Sequence, residues 1–173
     1  MKVVIFRHAT RSPSSLGDPS LNEEGKKQAQ LIASSVFPSG SLPLPTQIIS
    51  SPKRRAMETF LPLSYSAHLP LTVNQGLDER GHHESLKTFT LRIKHFLSQL
   101  ETLDQSSLPS SPPSCIYVCS HLDWIEEFLM LIPSDLSDTE LSSPWSPATF
   151  KSFKIVDSIW SLIDSGVIEP YGD

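Results

Sequence analysis

The stretch VVIFRHATRSP, residues 3–13, joins a run of four apolar residues to a cluster of cationic ones. A continuously apolar run is typical of a strand buried in the middle of a parallel sheet. Arg7, His8 and Arg11 follow this run. Open parallel sheets bind ligands just beyond the carboxyl ends of their strands, so we expect these side chains at a ligand-binding edge. The stretch therefore predicts a central strand and one part of a binding site.

Strand patterns alternate with helical patterns along the rest of the chain. Asn22 can cap the first helical pattern, whose apolar residues form one stripe. The alternation predicts an α/β fold in three layers, with a mainly parallel central sheet and helices on both faces. The predicted strands are residues 3–6, 47–50, 71–73 and 115–119, and the predicted helices are residues 23–36, 52–61, 84–103 and 122–131.

Two segments after residue 103 have less regular patterns. Residues 105–114, QSSLPSSPPS, are rich in serine and proline and predict a surface loop within one domain. We therefore expect residues 1–173 to form a single domain. Residues 148–164 predict two short strands around a turn at Asp157 and Ser158, with a terminal helix as the alternative.

The composition argues against several classes of protein. A net charge of -5 disfavours a nucleic-acid partner that binds a broad basic surface. No run approaches the ~18 apolar residues of a membrane span, and no leader pattern precedes the first strand, so we expect no membrane partner and a cytoplasmic location. Cys115 and Cys119 would lie ~13 Å apart on one strand, beyond disulfide reach, and are expected to be small core residues.

Cationic residues also follow two other predicted strands. Arg54 and Arg55 come after residues 47–50, and His121 comes after residues 115–119. Because the carboxyl ends of parallel strands meet at one edge of a sheet, these side chains should converge with those that follow the first strand. Like charges are costly to gather unless an anion binds between them, and the planar guanidinium fork suits phosphate oxygens. We therefore expect a phosphoryl-binding site at this edge.

Four motifs follow one another in an order that resembles a known family. Their sequences are RHA at residues 7–9, SLNEEGKKQAQ at 20–30, SSPKRRAMET at 50–59 and YVCSH at 117–121. They are similar to the signatures of the histidine phosphatase superfamily, which has the phosphoglycerate-mutase-like fold. Alanine stands in the third place of the family's Arg-His-Gly signature. In its small size, the chain resembles the bacterial phosphohistidine phosphatases of this superfamily.

The resemblance implies a mechanism for the predicted site. His8 would take up the phosphoryl group as a covalent phosphohistidine that water then hydrolyses, without a metal or another cofactor. Arg7, Arg55 and His121 would bind the phosphoryl oxygens and stabilise the transition state. Arg11 would be a further phosphate ligand, because RHATRSP also resembles the Arg-His-Gly-x-Arg-x-Pro motif of the acid-phosphatase and phytase branch.

The proton donor to the leaving group has two candidates. The LDER stretch, residues 77–80, resembles the family's Leu-x-Glu and gives Glu79 this role, although the following GHHES departs from the family pattern. Glu79 could instead be a surface residue paired with Arg80 or Lys87. Asp123 is the reserve candidate, because the acid-phosphatase branch has an aspartate close behind its second histidine.

The resemblance implies a phosphatase that acts on a phosphorylated small molecule or a phosphoprotein. A phosphoglycerate-mutase-type phosphotransferase and a non-catalytic phosphate-binding protein of the same fold are the alternatives. We expect no metal site at His82, His83 and Glu84, because adjacent loop histidines point in different directions. The sequence predicts no particular substrate or oligomeric state.

Overall fold

Six strands form one sheet in the part of the chain that the structure, a computed structural model, describes: residues 1–13, 17–37, 40–105, 114–137, 139–140 and 143–169. Residues 106–113 of the predicted surface loop lie outside these ranges. The order across the sheet is third, second, fourth, first, fifth and sixth strand, which confirms a central position for the first one. The strands are β1 (Lys2–Arg7), β2 (Gln47–Ser50), β3 (Leu71–Val73), β4 (Cys115–Ser120), β5 (Thr149–Val156) and β6 (Ile159–Val167).

The sheet is mainly parallel, as predicted. β1 pairs with β4, β2 with β4, and β2 with β3 in parallel, while β5 is antiparallel to both β1 and β6. Arg7 lies opposite Ser120 in the β1–β4 ladder, and Ser50 lies opposite Cys119 in the β2–β4 ladder. The carboxyl ends of β1, β2 and β4 therefore meet at one edge of the sheet, together with that of β3.

Helices cover both faces of the sheet. In the described ranges α1 (Glu23–Ser34) and α2 (Arg54–Ala67) pack on one face, and α3 (Leu86–Gln105) and α4 (Leu122–Leu131) pack on the other. This arrangement confirms the predicted three-layer α/β fold. Among these described helices, none combines the length and the apolar character needed to cross a membrane.

A hydrophobic core lies on each face of the sheet, and the apolar run of β1 contributes side chains to both. Val4 and Phe6 belong to the core under α1 and α2, whereas Val3 and Ile5 belong to the core under α3 and α4. Successive side chains of a strand point to opposite faces, so a strand covered on both sides must be apolar at every position. Burial of each such side chain contributes about 1.5–3 kcal/mol to stability.

α2 is longer than predicted because it continues through a proline. The sequence predicted an end at residue 61, but the helix runs to Ala67 with Pro62 inside it. An interior proline removes a backbone hydrogen bond and disfavours a helix. Leu63 is fully buried in the core directly after it, and this burial offsets the cost. His68 then ends the helix in the left-handed conformation.

The C-terminal part of the described chain is a hairpin of two strands. β5 and β6 flank Asp157 and Ser158, whose φ angles of 50° and 66° suit a tight turn between antiparallel strands. The predicted turn is therefore confirmed. The alternative of a terminal helix is wrong, because β6 continues to Val167 in the ladder with β5.

Gly25 lets α1 lie directly against the loop that follows β1. A Cβ atom at this position would lie 2.0 Å from the carbonyl oxygen of Thr10. That oxygen accepts the backbone N–H of Asn22, and the Asn22 side chain caps α1 as predicted by accepting the N–H of Gly25. Gln28 in turn accepts the N–H of Thr10 at 2.9 Å. α1 therefore fixes the backbone just after His8.

Candidate active site

The carboxyl edge of the sheet brings His8 and His121 together. The backbone N–H of His8 donates to the Ser120 carbonyl at 3.0 Å, so the hydrogen bonds between β1 and β4 continue just beyond the strands. His121 follows Ser120 and is the N-cap residue of α4. The centroids of the two imidazole rings are 5.3 Å apart. One phosphoryl group placed between them lies within reach of both rings.

His8 presents an unprotonated ring nitrogen to the site. Its Nδ1 lies 2.8 Å from the Ala9 carbonyl oxygen, which can only accept, so Nδ1 carries the proton. Nε2 then has a lone pair and accepts a hydrogen bond from Arg55 Nε at 3.3 Å. Burial, assisted by the charge of Arg55, lowers the pKa of His8 to about 4. The ring is therefore neutral at pH 7.

His121 has the opposite tautomer. Arg55 Nη2 donates to its Nδ1 at 3.2 Å, and because a guanidinium cannot accept, this nitrogen is unprotonated. Nε2 therefore carries the proton and donates to Ser51 Oγ at 2.7 Å. Burial, followed by the charge of Arg55, lowers the pKa of His121 to about 2. The Nε2–H group is a donor that a bound anion could take over from Ser51.

Arg55 lies at the centre of the site. It belongs to the first turn of α2 and is only 5% exposed. Besides both histidine rings, its guanidinium contacts two carboxylates: Glu79 Oε2 lies 2.6 Å from Nη2, and Asp18 Oδ1 lies 3.3 Å from Nη1. Asp18 also accepts the backbone N–H of Arg54 at 2.8 Å, at the start of α2. These contacts use four of the five guanidinium N–H groups, so a phosphoryl group that binds two of them must replace at least one partner.

Arg7 is the last residue of β1 and directly precedes His8. Its Nη1 donates to the Trp145 carbonyl, and its buried Nε has no hydrogen-bond partner among the described residues. Burial lowers the pKa of Arg7, and its charge contributes to the lowered pKa of both His8 and His121. Arg7 therefore adds positive charge to the surroundings of both rings, and a bound anion could satisfy its Nε–H.

Arg11 and Asp123 are the remaining predicted site residues. Arg11 is exposed, and its charge contributes weakly to the lowered pKa of His8. Asp123 lies in the first turn of α4, where its carboxylate oxygens accept the backbone N–H groups of Arg80 and Trp124, each at 2.8 Å. The structure thus directs the Asp123 carboxylate towards backbone groups.

Glu79 faces the site. Its carboxylate contacts Arg55 and lies 3.7 Å from Lys53 Nζ, and the side chain is 40% exposed, which leaves it accessible to a bound molecule. Glu79 does not form the surface pair with Arg80 or Lys87 that was the predicted alternative. The Arg80 side chain donates instead to the backbone carbonyl of Glu84.

Several other polar residues of the site were not predicted from the sequence. Besides Ser51, these include Asp78, whose Oδ1 lies 3.8 Å from His121 Nε2 and whose Oδ2 lies 3.6 Å from Lys53 Nζ. Burial raises the pKa of Asp78. Ser51 lies within the motif at residues 50–59, and Asp78 directly precedes the predicted proton donor Glu79. Their places in the sequence could therefore have indicated that they belong to the site. Asp18 had none, because it reaches the site from a loop whose path depends on tertiary packing.

Mild acid is expected to destabilise the fold through the two buried histidines. An unfolded histidine has a pKa of about 6.5, whereas the folded values are about 4 for His8 and about 2 for His121. Below about pH 6.5 the unfolded chain therefore binds protons that the folded chain does not. The free energy of unfolding consequently decreases as the pH is lowered. From about pH 7.5 to about pH 5.5 the free energy of unfolding should fall by ~1.4 kcal/mol for each histidine.

Urea unfolding at these two pH values tests the effect. His8→Asn should lose about half of the pH dependence, because one of the two depressed groups is gone. His95→Asn changes an exposed histidine and should leave the pH dependence as it is in the parent chain. An unchanged pH dependence in His8→Asn would show that His8 is not buried in its neutral form.

The fold is similar to solved structures of phosphatases. The protein histidine phosphatase SixA, complexed with tungstate, has a TM-score of 0.70 and 16% identity, with 95% of this chain and 96% of that chain covered. A mycobacterial glucosyl-3-phosphoglycerate phosphatase with inorganic phosphate has a TM-score of 0.72 and 16% identity, covering 94% and 95%. The alpha-ribazole phosphatase from Shigella flexneri has a TM-score of 0.73 and 14% identity, covering 98% and 96%. At these identities the likeness shows the fold.

A family model provides the sequence-level comparison. No curated protein matches the chain in a sequence search. The model of the histidine phosphatase superfamily (branch 1) matches residues 3–113, from the apolar run of β1 through α3. This range is most of the chain and includes the loop after β1 and the start of α2. The chain therefore belongs to the histidine phosphatase superfamily, as its motifs predicted.

Proposed function

We propose that the chain is a metal-independent phosphatase that acts on a phosphomonoester or a phosphorylated protein side chain through a phosphohistidine on His8. The observation that carries the proposal is the neutral, buried His8 ring, whose Nε2 lies 3.3 Å from Arg55 Nε. Phosphoryl transfer to nitrogen needs a lone pair to form the new bond and fixed cations to bind the oxygens. Membership of the superfamily supports the same reaction class.

The reaction would proceed in two displacements. Nε2 of His8 attacks phosphorus, and the N–P bond forms while the P–O bond to the leaving group breaks. Arg7, Arg55 and His121 donate hydrogen bonds to the nonbridging oxygens, and Glu79 gives a proton to the departing oxygen. Water then attacks the phosphohistidine, the N–P bond breaks, and the water proton returns to Glu79 as orthophosphate forms.

Substrate binding would redistribute the partners of Arg55. A phosphoryl oxygen that takes the Nη2 donor displaces Glu79, which now contacts that nitrogen at 2.6 Å. The released side chain remains beside the phosphoryl group, where a proton donor is needed. The exposed Arg11 would add positive charge on the solvent side of the site and attract the anionic substrate.

A substrate panel assayed with excess chelator tests the proposed function. The panel comprises phosphorylated metabolites, nucleotides, a phosphotyrosine peptide and a phosphohistidine protein. We expect orthophosphate release that the chelator does not diminish. Phosphate binding without release from any substrate would contradict the proposal and favour a binding protein. Transfer of the phosphoryl group to a second hydroxyl would favour the mutase alternative.

The proposal includes a cytoplasmic location and a phosphorylated small molecule or phosphoprotein as the partner. Cys115 and Cys119 are free thiols and both are buried on β4, as predicted. Free thiols are typical of reducing compartments and therefore agree with this location.

Glu79→Gln is expected to impair poor leaving groups selectively. An alkoxide must be protonated as it departs, whereas 4-nitrophenolate leaves without a proton, so only the first reaction needs an acid. We expect kcat/KM for an alkyl phosphate to fall by about 10²–10⁴-fold, with a far smaller loss for 4-nitrophenyl phosphate. Asp123→Asn is the matched carboxylate control. Selective loss in Asp123→Asn but not in Glu79→Gln would transfer the proton-donor role to Asp123.

A further inference from the structure

Arg92 binds a row of backbone carbonyls with one guanidinium. The residue lies on α3, and its side chain is 22% exposed. Its Nη1 and Nη2 groups contact the segment between β3 and α3, which begins with a short 3₁₀ turn at Gln75–Leu77. The accepting oxygens are those of Gln75 at 3.2 Å, Gly76 at 3.2 Å, Asp78 at 2.9 Å and Glu79 at 3.3 Å.

Glu84 completes this arrangement from the other end of the segment. Arg92 donates to its two carboxylate oxygens, from Nε at 3.0 Å and from Nη2 at 2.8 Å. Glu84 also accepts the backbone N–H of Gly81 at 3.1 Å. The hydrogen bond from Arg92 lowers the pKa of Glu84 and keeps it ionised. Arg92 therefore joins both ends of residues 75–84 to α3.

The segment held by Arg92 carries the acidic side of the site. Glu79 contacts Arg55 at 2.6 Å, and Asp78 lies 3.8 Å from the His121 ring. Side chains from β4 and α4 also hold the start of the segment, since Trp124 Nε1 donates to the Gly76 carbonyl and Ser120 Oγ donates to the Leu77 carbonyl, each at 2.7 Å. Arg92 extends this attachment to the backbone of the two acidic residues themselves.

We propose that Arg92 is a positioning residue that holds Glu79 where it can protonate the leaving group. This inference rests on the proposed function. Arg92 acts through the backbone, because its donors bind the carbonyls of Asp78 and Glu79 and leave both carboxyl groups directed at the site. Proton transfer requires donor and acceptor at hydrogen-bond distance, and a misplacement of ~1 Å can cost about 10²-fold in rate.

Arg92→Met tests the proposal, since methionine keeps the apolar stem and removes all the carbonyl contacts. We expect kcat/KM for an alkyl phosphate to fall by about 10²-fold and that for 4-nitrophenyl phosphate by less than about threefold. The ratio of the two values is measured on one sample, so a smaller folded fraction cancels. Lys94→Met removes an exposed charge from the same helix and should leave the ratio unchanged.

The double variant Arg92→Met/Glu79→Gln separates positioning from general stabilisation. If Arg92 acts through Glu79, the double variant should be no slower on the alkyl phosphate than Glu79→Gln alone, because the group being positioned is already absent. Arg92→Lys should recover part of the ratio, because an ammonium can bind some of the carbonyls but cannot reproduce the fork.

The possible outcomes distinguish this inference from the proposed function. Equal losses on both substrates in Arg92→Met, or no loss, would overturn the positioning role. Additive losses in the double variant would overturn it as well. A third outcome is a selective loss on the alkyl phosphate in Arg92→Met together with equal losses on both substrates in Glu79→Gln. It would show that Glu79 is not the proton donor, while it would support a role of Arg92 in positioning the segment. The same assay on Asp78→Asn would then identify the positioned acid.

Discussion

Replacement of His8 by alanine is expected to lower kcat by a factor on the order of 10⁴ or more. The Nε2 lone pair of His8 is the nucleophile of the proposed reaction, and alanine offers no group that could replace it. Arg7 and Arg55 remain to hold an anion, so His8→Ala should still bind inorganic phosphate. Loss of turnover with retained phosphate binding would separate a chemical role from a binding role.

Covalent labelling measures this effect directly. Brief exposure to a labelled phosphoester and a denaturing quench should leave phosphate on the chain that is labile to acid and stable to base, as a phosphoramidate is. His8→Ala should show no label. His121→Ala should label slowly, since its proposed task is to stabilise charge, with a loss of about 10²–10³-fold. Label that persists in His8→Ala would overturn the mechanism.

Arg55→Lys is expected to lose about 10²–10³-fold in kcat/KM although the charge is kept. One guanidinium contacts both histidine rings as well as Glu79 and Asp18. An ammonium is a single point of charge and cannot reproduce this fork of donors. The loss should therefore appear with substrates of every leaving group, in contrast to Glu79→Gln.

Arg54→Lys is the matched control for this substitution. Arg54 precedes Arg55 in the same turn, but its side chain is 61% exposed and pairs with Glu58 on the surface. Such pairs contribute little, so activity should stay within about twofold of the parent chain. Comparable activity in Arg55→Lys and Arg54→Lys would show that Arg55 acts only through its charge.

The sequence locates the centre of the site because that centre depends on strand ends. A buried strand is recognisable from its apolar run, and the residue after it must emerge at the sheet edge. This reasoning predicts the positions of His8 and His121, and the structure places their rings 5.3 Å apart. The prediction of 122–131 for α4 is also confirmed, and its start follows from the same reasoning because α4 begins where β4 ends.

The contacts that surround this centre could not be predicted in the same way. Asp18 and Trp145 reach Arg55 and Arg7 from loops, and no local pattern specifies how a loop folds back across a sheet edge. The length of α2 was missed for a related reason, because local rules end a helix near Pro62 whereas tertiary burial of Leu63 extends it. Local signals therefore predict the elements, and packing determines their extent and their loop contacts.

The central position of β1 has a consequence for the order in which the molecule assembles. Val4 lies opposite Tyr117 on one side and Ser152 on the other, so both neighbours of this strand come from distant parts of the chain. Pairings of such long range must overcome a large loop-closure entropy and form slowly. Until β4 docks, the apolar run has no partner on that side, and such exposed surface favours aggregation. Because His121 follows β4, the two histidines meet only when that docking occurs, and recovery of activity after refolding reports this step.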